Sequence, residues 1–111
     1  MNFNDRGVPK RLPPDPALCL FRVAQEALRN VERHAGANNV DVSVAGKDGG
    51  IVLAVRDDGR GFDTASKGER ASLGLASMRE RVRLLGGRLD IQGGRGIGTS
   101  ILAWVPVPAL P

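Results

Sequence analysis

Glu26, Asn30, Arg33 and His34 recur at i, i+4, i+7 and i+8, which puts all four on one side of a helix, away from most of its apolar face. A carboxylate, an amide and one or two cations converging there suit an anionic, metal-bearing ligand. An amide or carboxylate oxygen can hold Mg2+, and a guanidinium can meet a phosphate. The same stripe also suits a solvated helix face with an ion pair between neighbours, and the residues alone leave both readings open.

Three further clusters share that ambiguity. Arg56-Asp57-Asp58-Gly59-Arg60-Gly61-Phe62-Asp63 follows the most apolar run of the chain. A carboxylate at a strand end, then two glycines one residue apart, lets backbone approach a flat ligand closely. A plain turn also favours Asp and Gly. Ser72-Leu73-Gly74-Leu75 stands where a second helix should open. Free backbone N–H groups there could face a phosphate, aided by the helix dipole, or the glycine could simply loosen a turn. Gly96-Ile97-Gly98-Thr99 precedes the last apolar run and could be no more than a hairpin turn.

The elements that must position these clusters are legible in outline. Asp15 followed by Pro16 predicts an N-cap and first helical residue, with the helix running to about Ala35 and stopped by Gly36. Its face is Leu20, Phe21, Ala24, Ala27, Leu28 and Val31. Val40, Val42 and Val44 alternate with other residues as in a half-buried strand. Gly46 to Gly50 turns, and Ile51 to Val55 is the unbroken apolar run of a central strand. Leu73 to Leu85 predicts the second helix, ended by Gly86-Gly87. Two more strands follow, one around Leu89 and Ile91 and one from Thr99 to Val105, with a possible short strand near Phe3. The tail Pro106 to Pro111 is read as neither helix nor central strand. The order predicts a two-layer α/β sandwich: a mixed, mainly antiparallel sheet with helices on one face.

Composition bounds the possibilities. The 111 residues carry 16 basic and 12 acidic side chains, a net charge of +4. That length fits one domain over 1–111, with a core of about 15–107 and terminal extensions at 1–14 and 107–111. Thirteen of the fifteen glycines lie between Gly46 and Gly98, without the three-residue period of collagen. They punctuate a folded domain. Thirteen Arg and three Lys are interleaved with acids, and aromatics are only 4%, so a nucleic-acid partner is not expected. Cys19 is the lone cysteine and reads as a small buried apolar residue. No apolar stretch of about 18 residues exists, and the N-terminus lacks the core of a signal peptide. The expectation is a cytoplasmic, monomeric fragment without membrane contact, whatever anchors a full-length protein.

Order and spacing of the four clusters together resemble the GHKL ATP-binding fold of gyrase-type ATPases, a heat-shock chaperone, mismatch-repair ATPases and histidine kinases. Gln25-Glu26-Ala27-Leu28-Arg29-Asn30-Val31-Glu32-Arg33-His34-Ala35 looks like the N-box of sensor histidine kinases that signal to LuxR-type response regulators. Gly74-Leu75-Ala76-Ser77-Met78-Arg79-Glu80-Arg81-Val82 through Gly86-Gly87 matches the same subfamily, and the resemblance covers about residues 17–106. It implies ATP and Mg2+ as cofactors, with Asn30 as the metal ligand and Glu26 as, or assisting, a general base. Arg33 and His34 would face the phosphates, and Asp57 would accept a hydrogen bond from the adenine amine. Gly59 and Gly61 would pass under the base and start the lid. Ser72, Leu73, Gly74 and Leu75 would give backbone donors to the phosphates, and Thr99 would support the adenine pocket. Ser72 stands where the family commonly has glycine, and the lid from Asp63 to Ala71 is short. His34, the only histidine, falls inside the N-box. The resemblance implies a phospho-acceptor histidine on a separate dimerisation domain, a partner together with the response regulator. Two rivals predict different results: an anti-sigma-factor-type serine kinase of the same fold, and a non-enzymatic basic binding module with no ATP-induced thermal shift.

Overall fold

The computed structural model describes residues 2–7, 14–30, 39–58, 69–94 and 98–107. The elements are β1 (Asn2–Arg6), α1 (Pro14–Asn30), β2 (Val40–Lys47), β3 (Gly50–Asp57), α2 (Glu69–Leu84), β4 (Arg88–Gly94) and β5 (Gly98–Pro106). The strands form one sheet in the order β1-β2-β3-β5-β4. β1 runs parallel to β2 and every other neighbour is antiparallel. This is the mixed, mainly antiparallel sheet that the strand pattern predicts.

Strand alternation decides which face is covered. Ile51, Leu53 and Val55 of β3 stand opposite Val105, Ala103 and Ile101 of β5, all buried. With Val42 they form one apolar surface. Cys19, Leu20, Val23 and Ala27 of α1 and Met78 and Val82 of α2 close over it as a single cluster. Burial of these side chains at about 25 cal/mol per Å2 is what holds the two layers together. The alternate residues Val52, Ala54, Leu102 and Trp104 lie half-buried on the other face. There the Trp104 indole lies over Gly50, and its Nε1 donates to the Lys47 carbonyl at 2.8 Å.

Turn chemistry fixes the connections. Asp48 and Gly49 have φ of 51° and 73° between the paired residues Lys47 and Gly50, the two-residue hairpin that Asp-Gly favours. α2 ends in a Schellman motif: the Gly87 N–H donates to the Val82 carbonyl and that of Gly86 to the Arg83 carbonyl, both at 2.9 Å, with Gly86 at φ 76°.

Four expectations shift. α1 begins at Pro14 rather than Pro16, because prolines in a first turn need no donor, and Asp15 falls in that turn, where the helix dipole favours it. Its expected end at Ala35 and cap at Gly36 lie outside the described residues. α2 begins at Glu69 rather than Leu73, since Glu69-Arg70-Ala71 are good helix formers. Residues 2–6, expected in a terminal extension, form the parallel edge strand. Pro106 closes the central strand β5 opposite Gly50, and the next donor, Val107 N–H, reaches the Gly49 carbonyl at 3.0 Å.

Cys19 is buried at the helix-sheet contact. Burial pushes its thiol above the ordinary range, with the nearby Arg81 guanidinium pulling weakly the other way. Native protein at neutral pH should therefore react with a thiol reagent such as DTNB only on the timescale of unfolding. Rapid stoichiometric labelling without denaturant would contradict this placement.

Candidate functional site

β3 and β5 end together, and their ends form the floor of the site. Asp57 stands opposite Thr99 across the β3–β5 ladder. Both fall in the same alternation as Val55 and Ile101, on the helix-covered side of the sheet. Asp57 is half-buried. Thr99 is the one buried polar residue of the described part, 7% exposed, and among the described residues its Oγ1 has no hydrogen-bond partner. A buried hydroxyl without a partner costs about 1–3 kcal/mol, so a polar ligand atom beside it would be stabilising.

Gly98 sets this corner. Its φ is 79°, and a Cβ there would overlap the Asp57 carbonyl oxygen and stand 3.1 Å from the Asp57 carbonyl carbon. Only glycine lets the backbone of β5 start this close to the end of β3.

Asp58 has a different task from its neighbour. Its carboxylate accepts hydrogen bonds from the Asn39 backbone N–H and the Asn39 Nδ2, each at 2.9 Å. The Asp58 N–H donates back to the Asn39 carbonyl at 3.2 Å. The reciprocal clamp ties the chain just before β2 to the exit of β3, and so fixes where the glycine loop departs. The sequence pattern placed both carboxylates in one cluster; strand alternation separates them, one inward and one outward.

The helical wall comes from α1 and α2. Glu26 lines a groove of about 200 Å3 between the two helices with Arg22, Gln25, Arg29, Ser77, Met78 and Arg81. Its carboxylate pairs with Arg29 at 3.7 Å. Glu26 thus lines a helix–helix groove and also makes the ion pair between neighbours that a solvated face would show. The three arginines were not singled out by the sequence pattern, although Arg22 and Arg29 stand four before and three after Glu26, within reach on one helix.

Asn30 is the last residue of α1, and its side chain lies outside the described part. Arg33, His34, Gly59 and Gly61 also lie outside it. Ser72, Leu73, Gly74 and Leu75 fall within α2, not before it. Free amides belong to the turn at Glu69, whereas those of Gly74 and Leu75 sit a turn further in, where N–H groups bond back along the helix. Among the described residues, no group of three His, Cys, Asp or Glu side chains could hold a metal by itself, and no helix is long and apolar enough to cross a membrane.

The two-layer sandwich has counterparts among solved histidine kinase structures. The histidine kinase domain of the blue-light activated histidine kinase from Erythrobacter litoralis superposes with a TM-score of 0.76 at 25% identity, over 96% of this chain and 54% of that one. Residues 16–109 match HATPase_c, the histidine kinase-, DNA gyrase B-, and HSP90-like ATPase family, and the chain belongs to it. The histidine-protein kinase/phosphatase DegS of Brevibacillus brevis is 36% identical over 107 residues, which is 96% of this chain and 28% of that protein. DegS of Bacillus subtilis is 38% identical over 100 residues, 88% of this chain and 26% of that protein. The sensor histidine kinase MctS of Rhizobium johnstonii is 39% identical over 105 residues, 93% and 23% respectively. The chain thus spans about a quarter of the length of these relatives.

Proposed function

We propose that this domain binds Mg-ATP and presents the γ-phosphate to the imidazole of a histidine on a separate dimerisation domain, within a sensor histidine kinase that signals to a LuxR-type response regulator. The observation that carries the reading is the Asp57–Thr99 pair: a half-buried carboxylate opposite a buried hydroxyl with no partner among the described residues, on the helix side of the sheet. Asp57 would accept a hydrogen bond from the adenine amine, and Thr99 would support the same edge of the base. Gly59 and Gly61 would pass under the base toward the lid. Asn30 would hold Mg2+ through its amide oxygen, with Arg33 and His34 toward the phosphates. The turn that opens α2, from Glu69 through Ser72, would offer backbone donors, with Leu73, Gly74 and Leu75 behind it.

In the transfer, the bond from the γ-phosphorus to the bridging oxygen breaks, a phosphorus–nitrogen bond to the imidazole forms, and ADP leaves. Mg2+ held by Asn30 would supply neutralisation of phosphate charge, and positioning by the domain would supply most of the remaining rate. Glu26 would assist removal of the imidazole proton.

A thermal-shift series with Mg-ATP, Mg-GTP and a duplex oligonucleotide tests the reading. ATP should raise the midpoint, GTP and the oligonucleotide should not, and Asn30→Ala should remove the Mg2+-dependent part of the shift. A shift with the oligonucleotide alone would overturn it in favour of a basic binding module.

A further inference from the structure

The arginines that are dispersed in sequence converge in the fold. Arg22 and Arg29 of α1 and Arg81 of α2 line one groove, which holds a single carboxylate, Glu26, already paired with Arg29. Among the described residues Arg22 donates to the neutral side-chain oxygen Oε1 of Gln25, at 3.2 Å, and no carboxylate pairs with Arg22 or Arg81. Arg83 shows the contrast, since it is held by Glu80 at 2.8 Å. The groove therefore presents an excess of guanidinium charge on a concave surface.

Its flank is apolar. Leu18 and Phe21 are 52% and 56% exposed, large for such side chains in a chain whose core closes well. Leu18, Arg22, Gln25 and Arg29 advance by steps of four, three and four, with Phe21 three beyond Leu18 and four before Gln25, so the five form one solvent-facing stripe along α1. From Leu18 to Arg29 that stripe is about 16 Å long, at 1.5 Å per residue. Leu84, 70% exposed, follows Arg81 by three residues on α2.

We infer that the α1–α2 groove docks an acidic, amphipathic helix of a partner protein, with its carboxylates on Arg22, Arg29 and Arg81 and its apolar side chains on Leu18 and Phe21. Charge selects an acidic occupant, because arginine forks bind carboxylates in bidentate geometry. The apolar flank selects a protein over a nucleic acid, whose phosphates would leave Leu18 and Phe21 uncovered. A straight stripe between two helices suits a helix laid lengthwise. Glu26 is the one groove residue that the nucleotide reading also uses; the inference rests instead on the arginines, Leu18 and Phe21.

The test uses a fluorescein-labelled amphipathic peptide of about 15 residues with glutamates and leucines on adjacent faces, read by anisotropy. The chain should bind it with an affinity that falls as salt rises. The double variant Arg22→Glu/Arg81→Glu should weaken binding by more than about tenfold, whereas Arg88→Glu on β4 should not. Phe21→Ser should also weaken it. Equal loss from Arg88→Glu, no loss from the double variant, or a duplex oligonucleotide that competes better than unlabelled peptide would each overturn the inference. Thermal midpoints and Mg-ATP shifts recorded on the same variants separate a failed groove from a misfolded chain or a failed nucleotide site.

Discussion

Gly98→Ala should be among the most damaging single-methyl substitutions in this domain, and Gly49→Ala should be mild by comparison. Both glycines have φ in the left-handed region, 79° and 73°. That conformation alone costs an alanine about 1–2 kcal/mol. The surroundings differ. A Cβ at Gly49 meets nothing within 4 Å, because it sits at the tip of the β2–β3 hairpin. One at Gly98 overlaps the Asp57 carbonyl oxygen and lies 3.1 Å from the Asp57 carbonyl carbon and 3.4 Å from the Asp58 Cα. Backbone cannot rotate aside as a flexible side chain would, so β3 and β5 must separate at the site. We expect Gly49→Ala to cost about 1 kcal/mol in urea denaturation and Gly98→Ala more than about 3 kcal/mol. Gly98→Ala should lose ATP affinity even where it remains folded. Equal costs for the two would show that conformation, not overlap, governs this corner.

The contrast between those glycines marks what a sequence can convey. The Ile51–Val55 run has no polar interruption, the pattern of a strand with partners on both edges and little water on either face; β3 is such a strand, with Val52 and Ala54 half-buried on the face away from the helices. Asp48-Gly49 and Gly86-Gly87 announce turns because few residues adopt their φ values. The strand β1 was faint for the opposite reason. Asn2-Phe3-Asn4-Asp5-Arg6 has one apolar residue, and its parallel pairing with β2 spans some forty positions of chain that local propensity does not encode. Nor does spacing show convergence: Arg29 and Arg81 are far apart in sequence and meet only because α1 and α2 lie side by side on the same sheet. Order of motifs identified the family, while the orphaned Thr99 hydroxyl and the overlap at Gly98 are properties of the assembled strands.

Adjacent carboxylates at the end of β3 give the sharpest test of the site, because their roles should dissociate. Asp57 faces the helix side opposite Thr99, while Asp58 fastens Asn39 through both carboxylate oxygens. Asp57→Ala removes the proposed acceptor for the adenine amine. A hydrogen bond to a charged group is worth about 1.5–3 kcal/mol, so ATP affinity should fall by about 10- to 150-fold, beyond any loss that stability accounts for. Preference for ATP over GTP should fall with it, since the exocyclic amine is what Asp57 would distinguish. Asp57→Asn keeps one acceptor oxygen and should lie between wild type and alanine. Asp58→Ala should do the reverse. It loses the clamp on Asn39, costs about 1 kcal/mol of stability, and leaves base selectivity intact because no ligand-facing group is removed. Calorimetric titration with Mg-ATP and Mg-GTP, paired with urea denaturation, measures both quantities on each variant. If Asp58→Ala abolished ATP-over-GTP selectivity while Asp57→Ala preserved it, the assignment of the inward carboxylate to the base would be wrong. If both variants lost affinity only in proportion to stability, neither carboxylate would touch the nucleotide, and Thr99 would need another polar partner.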